Sequence, residues 1–228
     1  VSESREQFHS ELSDLEELVQ QEAARIRISL ARVVDMLQSG SPAIADEIIA
    51  ADDPIDLLYI QVERDVASIL GRQAPVAVDL RLVLAVVHIN HNLERIGDQC
   101  VNIAKLFELT KATPIPTNLI HDFTAMASRA DEMLGLAMTS FANRDLEIAK
   151  SLVTLDQSVN LAHHRFSERL LDIDDDGESI REASLRAVLI SRCLERIGDN
   201  CVDIGEQTAY LITGEFAEFT DASMTSRL

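Results

Sequence analysis

Six consecutive residues, Leu93–Asp98 (LERIGD), recur unchanged as Leu194–Asp199, 101 positions further along the chain. At the same offset Cys100 falls on Cys201, Val101 on Val202 and Ile103 on Ile204. Upstream, Leu84 falls on Leu185, Val87 on Val188 and Ile89 on Ile190. An identity of this length with matching flanks marks an internal duplication, so whatever one half folds into, the other must also fold into. The periodicity says what that unit is. Leu82, Val86, Ile89, Leu93, Ile96, Cys100, Ile103 and Phe107 follow alternating steps of three and four, the apolar seam of a bundled helix. Ile190, Leu194, Ile197, Cys201 and Ile204 repeat it. Ile48, Ile55, Leu58, Val62 and Ile69 form a further stripe, as do Leu152, Leu155, Val159, Ala162 and Phe166.

Each copy therefore reads as three helices. The first spans roughly Ser4–Leu37, Pro42–Leu70 and Val76–Leu109. The second spans roughly Pro116–Phe141, Asp145–Asp172 and Glu178–Thr213. The breaks carry turn residues: Ser39-Gly40-Ser41-Pro42, Gly71 with Pro75, Thr113–Thr117, Asn143-Arg144-Asp145 and Asp172–Gly177. Ser41 before Pro42 reads as a helix cap. The expected architecture is all-α: two tandem three-helix bundles, residues 1–112 and 113–228, related by a pseudo-two-fold repeat, with a loose tail from about 214. Few prolines and glycines, 5 and 8, and only 4% aromatic residues argue against a sandwich or barrel.

Charge narrows the function. With 20 basic and 39 acidic residues the formal charge is −19, and no basic stripe interrupts it, so nucleic acid is excluded as a partner. Such a surface suits cations or a basic protein partner. Three cysteines without a framework of close pairs read as reduced thiols, which points to the cytoplasm. Cys100 and Cys201 lie on the core seams and read as small buried residues. The longest apolar run, near Leu82–Ile89, is too short to insert into a membrane, and Val1-Ser2-Glu3 opens no signal peptide.

Glu94 and Asp98 stand four apart and share a helical face that Asn102 continues. Glu195, Asp199, Asp203 and Glu206 make the equivalent row in the second copy. Like charges at this spacing cost roughly 0.2–0.5 kcal/mol per pair. Finding the same row in both copies points to something that offsets the repulsion. A cation bound by carboxylate oxygens does so, provided that a neighbouring helix adds ligands. Asp52, Asp56 and Glu63 share a face in one copy, and Asp156, Asn160 and His163 in the other. The bland alternative is a solvated acidic face copied by the duplication. Gly97 and Gly198 read first as points of tight helix packing and second as access for a ligand. Tyr59 lies near the acidic face, as a packing residue. No HExxH, GxGxxG or phosphate-binding loop occurs, and only Glu6–His9 has the spacing of a di-metal bundle ligand pair, so an enzyme is not expected.

The twin LERIGD helices, the six-helix duplication and Gln73–Arg81 (QAPVAVDLR) together resemble the PhoU family of phosphate-regulon accessory proteins. The likeness runs from Phe8-His9-Ser10-Glu11-Leu12 to about Thr213. It implies a non-catalytic regulator of phosphate uptake and signalling. Its implied partners are the ATPase of a phosphate ABC transporter and a membrane sensor histidine kinase, and the implied assembly is a homodimer. It also implies iron or zinc, in multinuclear clusters, on E/DxxxD motifs. Carried over by position, these are Glu94 with Asp98, Glu195 with Asp199, Asp52 with Asp56, and Asp156 with Asn160. Three departures stand out. Asn160 replaces an acid. Pro54 lies between Asp52 and Asp56, where it kinks the second helix or restarts it with Asp53 as cap. Lys105 occupies the place of Glu206. Unequal sites are expected in the two halves.

Overall fold

A computed structural model describes residues 2–112, 117–171 and 178–219. Seven α-helices follow one another: α1 (Ser2–Ser39), α2 (Pro42–Ala50), α3 (Asp52–Gln73), α4 (Ala77–Glu108), α5 (Thr117–Asn143), α6 (Leu146–Leu171) and α7 (Glu178–Thr213). A 3-10 turn, Leu109–Ala112, closes α4. There is no strand among the described residues. The expected boundary at 113–116, the 172–177 linker and the end of the tail from 220 lie outside them.

The long helices form because each carries the apolar stripe read above. Leu82, Val86, Ile89, Leu93, Ile96, Cys100, Ile103 and Phe107 are all buried, as are Ile190, Leu194, Ile197, Cys201 and Ile204. Burial drives both buried thiols, Cys100 and Cys201, well above the usual range and keeps them protonated. The buried side chains form one continuous core through both repeats, with α4 packed along α7 and α1 along α5. The ERIGD helices thus lie side by side near the pseudo-two-fold axis. Arg27 of α1 reinforces the second contact, donating from Nε and an Nη to the two carboxylate oxygens of Asp131 on α5 at 2.7 and 2.9 Å.

Two local expectations change. The second helix of the first copy is two helices, broken at Ala51, whereas its counterpart α6 is continuous. The restart comes earlier than Asp53: Ala51 is the cap, with φ −75° and ψ −9°. Pro54 therefore sits in the first turn of α3, where its missing N–H removes no helix bond. Asp52 and Asp56 both fall within α3 and keep their common face. Ser41 occupies the cap position of α2, but its side chain makes no cap hydrogen bond. In the second copy Asp145 does cap α6, its Oδ1 accepting from the backbone N–H groups of Glu147 and Ile148, each at 3.0 Å.

The first two helical stretches of the repeats superpose in sequence at an offset of 104, which pairs Asp52 with Asp156, Asp56 with Asn160 and Tyr59 with His163. Gly40 and Arg144, also paired at this offset, both hold a left-handed φ, 68° and 53°, and close equivalent helix ends.

Candidate functional site

In the first repeat α3 and α4 bring Asp52, Asp56, Glu94 and Asp98 together. Burial raises the Asp52 carboxyl first, and the nearby Asp56 and Asp98 charges raise it further, against Lys105. Burial likewise raises Glu94, with Asp98 and Asp56 adding to it against His91 and Arg95. Gly97 lies at this contact, where a methyl group would meet Asp52 Oδ1 at 3.8 Å and Ile55 Cγ2 at 3.6 Å, both ordinary packing distances. Glu63 is drawn aside, since Asn90 Nδ2 donates to its carboxylate at 3.4 Å and to the Tyr59 carbonyl at 3.2 Å. Tyr59 lies over the same acidic face, its phenol raised by burial and then by Glu63, Glu94 and Glu22.

Glu22 is the residue that sequence reading missed. It comes from α1, is 0% exposed, and neither carboxylate oxygen has a hydrogen-bond partner. Burial, then the charges of Glu94 and Asp56, push its pKa up to about 9. The signal lay in the apolar stripe: Leu15, Val19, Ile26, Leu30 and Val33 are buried, and Glu22 interrupts their register. At the 104 offset its counterpart is Met126, which is buried and apolar.

In the second repeat α6 and α7 bring Asp156, Asn160, Glu195 and Asp199 together. Burial pushes Asp156 up to about 7, helped by Asp199 and Glu195 and opposed by its hydrogen bond from Asn160. Asn160 thus acts as a donor, Nδ2 to Asp156 Oδ2 at 2.7 Å, where the family pattern places a second acid. Gly198 abuts this carboxylate, for a methyl group there would lie 2.5 Å from Asp156 Oδ1. Arg192, one turn before Glu195 on α7, donates to its Oε1. Burial raises Asp199, and Arg192 and Arg196 oppose the rise. His163 is turned toward α7. Ser191 gives its hydroxyl proton to the Val188 carbonyl and receives a hydrogen bond from His163 Nδ1 at 2.8 Å. Burial lowers the His163 pKa, as do the charges of Arg192 and His164.

Asp203 stands apart from Asp156. Burial raises it, Asp199 adds to the rise, and Arg95 of the first repeat opposes it. It lines a cleft of about 500 Å³ between α4 and α7, with Arg95, Asp98, Arg196 and Asp199. Both acidic rows therefore border one cleft. Glu206 is held by the tail, accepting from the Phe219 N–H at 2.5 Å.

Among the described residues no three His, Cys, Asp or Glu side chains stand in metal-ligand geometry as they lie. The donor chemistry nonetheless fits a cation. Buried oxygens without partners occur on Glu22, on Asp156 (Oδ1), on Glu195 (Oε2) and on Asn160 (Oδ1). Such atoms are costly unless a proton or an ion meets them.

Duplicated helical bundles joined through their acidic helices form a recognisable class, and comparison with known proteins places this chain in it. The chain belongs to the PhoU family: the PhoU domain matches residues 19–107 and again 123–208. It is 27% identical over 219 residues, 96% of this chain and 100% of the relative, to the phosphate-specific transport system accessory protein PhoU homolog of Clostridium acetobutylicum. It is 33% identical to the homolog of Synechocystis over 71% of each chain. The crystal structure of PhoU from Pseudomonas aeruginosa shares the fold, with a TM-score of 0.86 at 24% identity, covering 91% of this chain and all of that one. The phosphate transport system regulatory protein PhoU of Streptococcus pneumoniae aligns with a TM-score of 0.84 at 25% identity, over 92% of this chain and 99% of that one. No described helix is long and apolar enough to cross a membrane.

Proposed function

We propose that this protein regulates phosphate uptake and phosphate-responsive signalling as a non-catalytic, cation-binding adaptor. Its partners are the ATPase of a phosphate ABC transporter and a sensor histidine kinase, engaged from the cytoplasm by a homodimer. Family membership along nearly the whole chain supports the regulatory role, because the relatives are named as accessory proteins of phosphate-specific transport. The observation that carries cation binding is that each repeat has buried carboxylate oxygens without partners, on Glu22 in one and on Asp156 and Glu195 in the other. Glu22, Asp52, Asp56, Glu94 and Asp98 would hold an ion in one repeat, and Asp156, Asn160, Glu195 and Asp199 in the other. A bound ion such as iron or zinc would supply positive charge that neutralises the rows and ties helices together. Regulation then follows from different affinities for two states of the transporter–kinase assembly.

The test is a deletion strain, complemented with wild type or with Glu94→Gln, Asp98→Asn, Glu195→Gln and Asp199→Asn combined. Deletion should release phosphate uptake from restraint under ample phosphate. Wild type should restore the restraint and the combined variant should not. Unaltered uptake and unaltered phosphate-responsive transcription after deletion would contradict the regulatory role. Full restoration by the combined variant would contradict a role for the acidic rows.

A further inference from the structure

We infer that Glu22 is a cation ligand contributed by α1, and that it makes the first repeat a three-helix, five-carboxylate site for a hard, oxygen-seeking cation, unlike the site in the second repeat. This rests on the cation-binding reading above and deepens it. A side chain with no solvent exposure and two oxygens without partners has given up hydration and received nothing from the protein. Ile26, one turn after Glu22 on α1, meets Asp52 at Gly97 of α4, both within 4 Å of a methyl placed there, so α1 packs Glu22 against the acidic face, close enough for Asp56 and Glu94 to act on it.

The two repeats differ in how their acids are compensated. In the second, Arg192 already pairs with Glu195. Arg192 and Arg196 also act on Asp199, Asn160 hydrogen-bonds Asp156, and Met126 fills the position of Glu22. In the first, Glu22, Asp52, Asp56, Glu94 and Asp98 form no ion pair with any arginine or lysine among the described residues, although Lys105 acts on Asp52, and His91 and Arg95 act on Glu94, from a distance. The second repeat thus meets part of its acid charge with a direct arginine pair, whereas the first, with one more acid, has none. Five carboxylates and no sulfur or imidazole donor favour a hard ion over a soft one. Three contributing helices also mean that binding pins α1 to the α3–α4 pair.

The experiment uses the full chain stripped with chelator, then equilibrated separately with Mn²⁺, with Fe²⁺ under anaerobic conditions and with Zn²⁺. Binding is read by equilibrium dialysis and by the ion-induced rise in melting temperature. Glu22→Met copies the second repeat's own side chain, and Glu22→Gln keeps the shape of the acid. Wild type should bind Mn²⁺ or Fe²⁺. Both variants should lose about tenfold or more in affinity, the scale of removing a supporting group at a metal site, together with most of the thermal shift. Glu132→Gln, which removes an exposed acid of α5 outside both rows, should leave this binding in place. Wild-type-like binding by both variants would overturn the role of Glu22 while leaving cation binding intact. Binding confined to Zn²⁺ would overturn the hard-ion assignment. Wild type that binds none of the three would defeat the underlying cation reading and this inference with it.

Discussion

Removing Glu22 should stabilise the metal-free protein, and the gain should grow with pH. An ordinary glutamate titrates near 4.5, and burial beside Glu94 and Asp56 pushes Glu22 up to about 9. Between those values the folded chain keeps a proton that the unfolded chain releases. Folding stability therefore falls as pH rises through this window, by about 1.4 kcal/mol per pH unit for one such group. Below the unfolded value both states are protonated and nothing is lost. Above the folded value both are ionised and the full penalty is in place. At pH 7 the accumulated cost is on the order of 3 kcal/mol, a large part of the stability of a domain. Glu22→Met removes the titrating group and fills the space with a side chain that adapts readily to a core. Urea unfolding in chelator, at several values between pH 5.5 and 8, measures the difference. The variant should be the more stable protein at every point, and its advantage should widen steadily. A variant less stable than wild type at pH 7.5, or an advantage independent of pH, would refute the reasoning.

Two glycines at equivalent positions should respond differently to alanine. Gly97→Ala meets only ordinary contacts, the nearest at 3.6 Å, so it should gain about 0.5–1 kcal/mol of helix stability. Gly198→Ala places a methyl 2.5 Å from Asp156 Oδ1 and should lose that gain by forcing the carboxylate off Asn160; equal effects in thermal melts would contradict the geometry. Arg144 reaches from the α5–α6 turn to Glu16 of α1 at 2.6 Å and lies 4.8 Å over the Phe141 ring. Arg144→Ala should cost about 1 kcal/mol through the lost ion pair and cation–π contact. Arg144→Gly should cost less than Arg144→Ala, because φ 53° suits glycine, and the reverse order in the same melts would count against that explanation.

The repeat and the three-and-four spacing of Ile89, Leu93, Ile96 and Cys100 made the helices legible, because burial of one stripe follows directly from the helical period. Asp52, Asp56, Glu94 and Asp98 were legible for the same reason, since residues four apart share a face. Pro54 signalled a break in the second helix but not its place: proline fits anywhere in a helix's first turn, so the cap falls on Ala51 rather than Asp53. Glu22 escaped because acidic rows draw attention to exposed faces, whereas this acid occupies a core position and shows only as a break in the apolar stripe of α1. The donor role of Asn160 and the capture of Glu195 by Arg192 depend on side-chain orientation, which spacing leaves open. Asp203 belongs to the sequence row of Glu195 and Asp199, yet Arg95 of the other repeat faces it, a contact made only when α4 lies along α7.

Anomalous diffraction from crystals equilibrated with Mn²⁺ or Fe²⁺ tests the cation sites most directly. A peak bounded by Glu22, Asp52, Asp56, Glu94 and Asp98 is expected, stronger than any peak beside Asp156 and Asp199. Crystals saturated with these ions that show no anomalous peak at the acidic face of either repeat would contradict it.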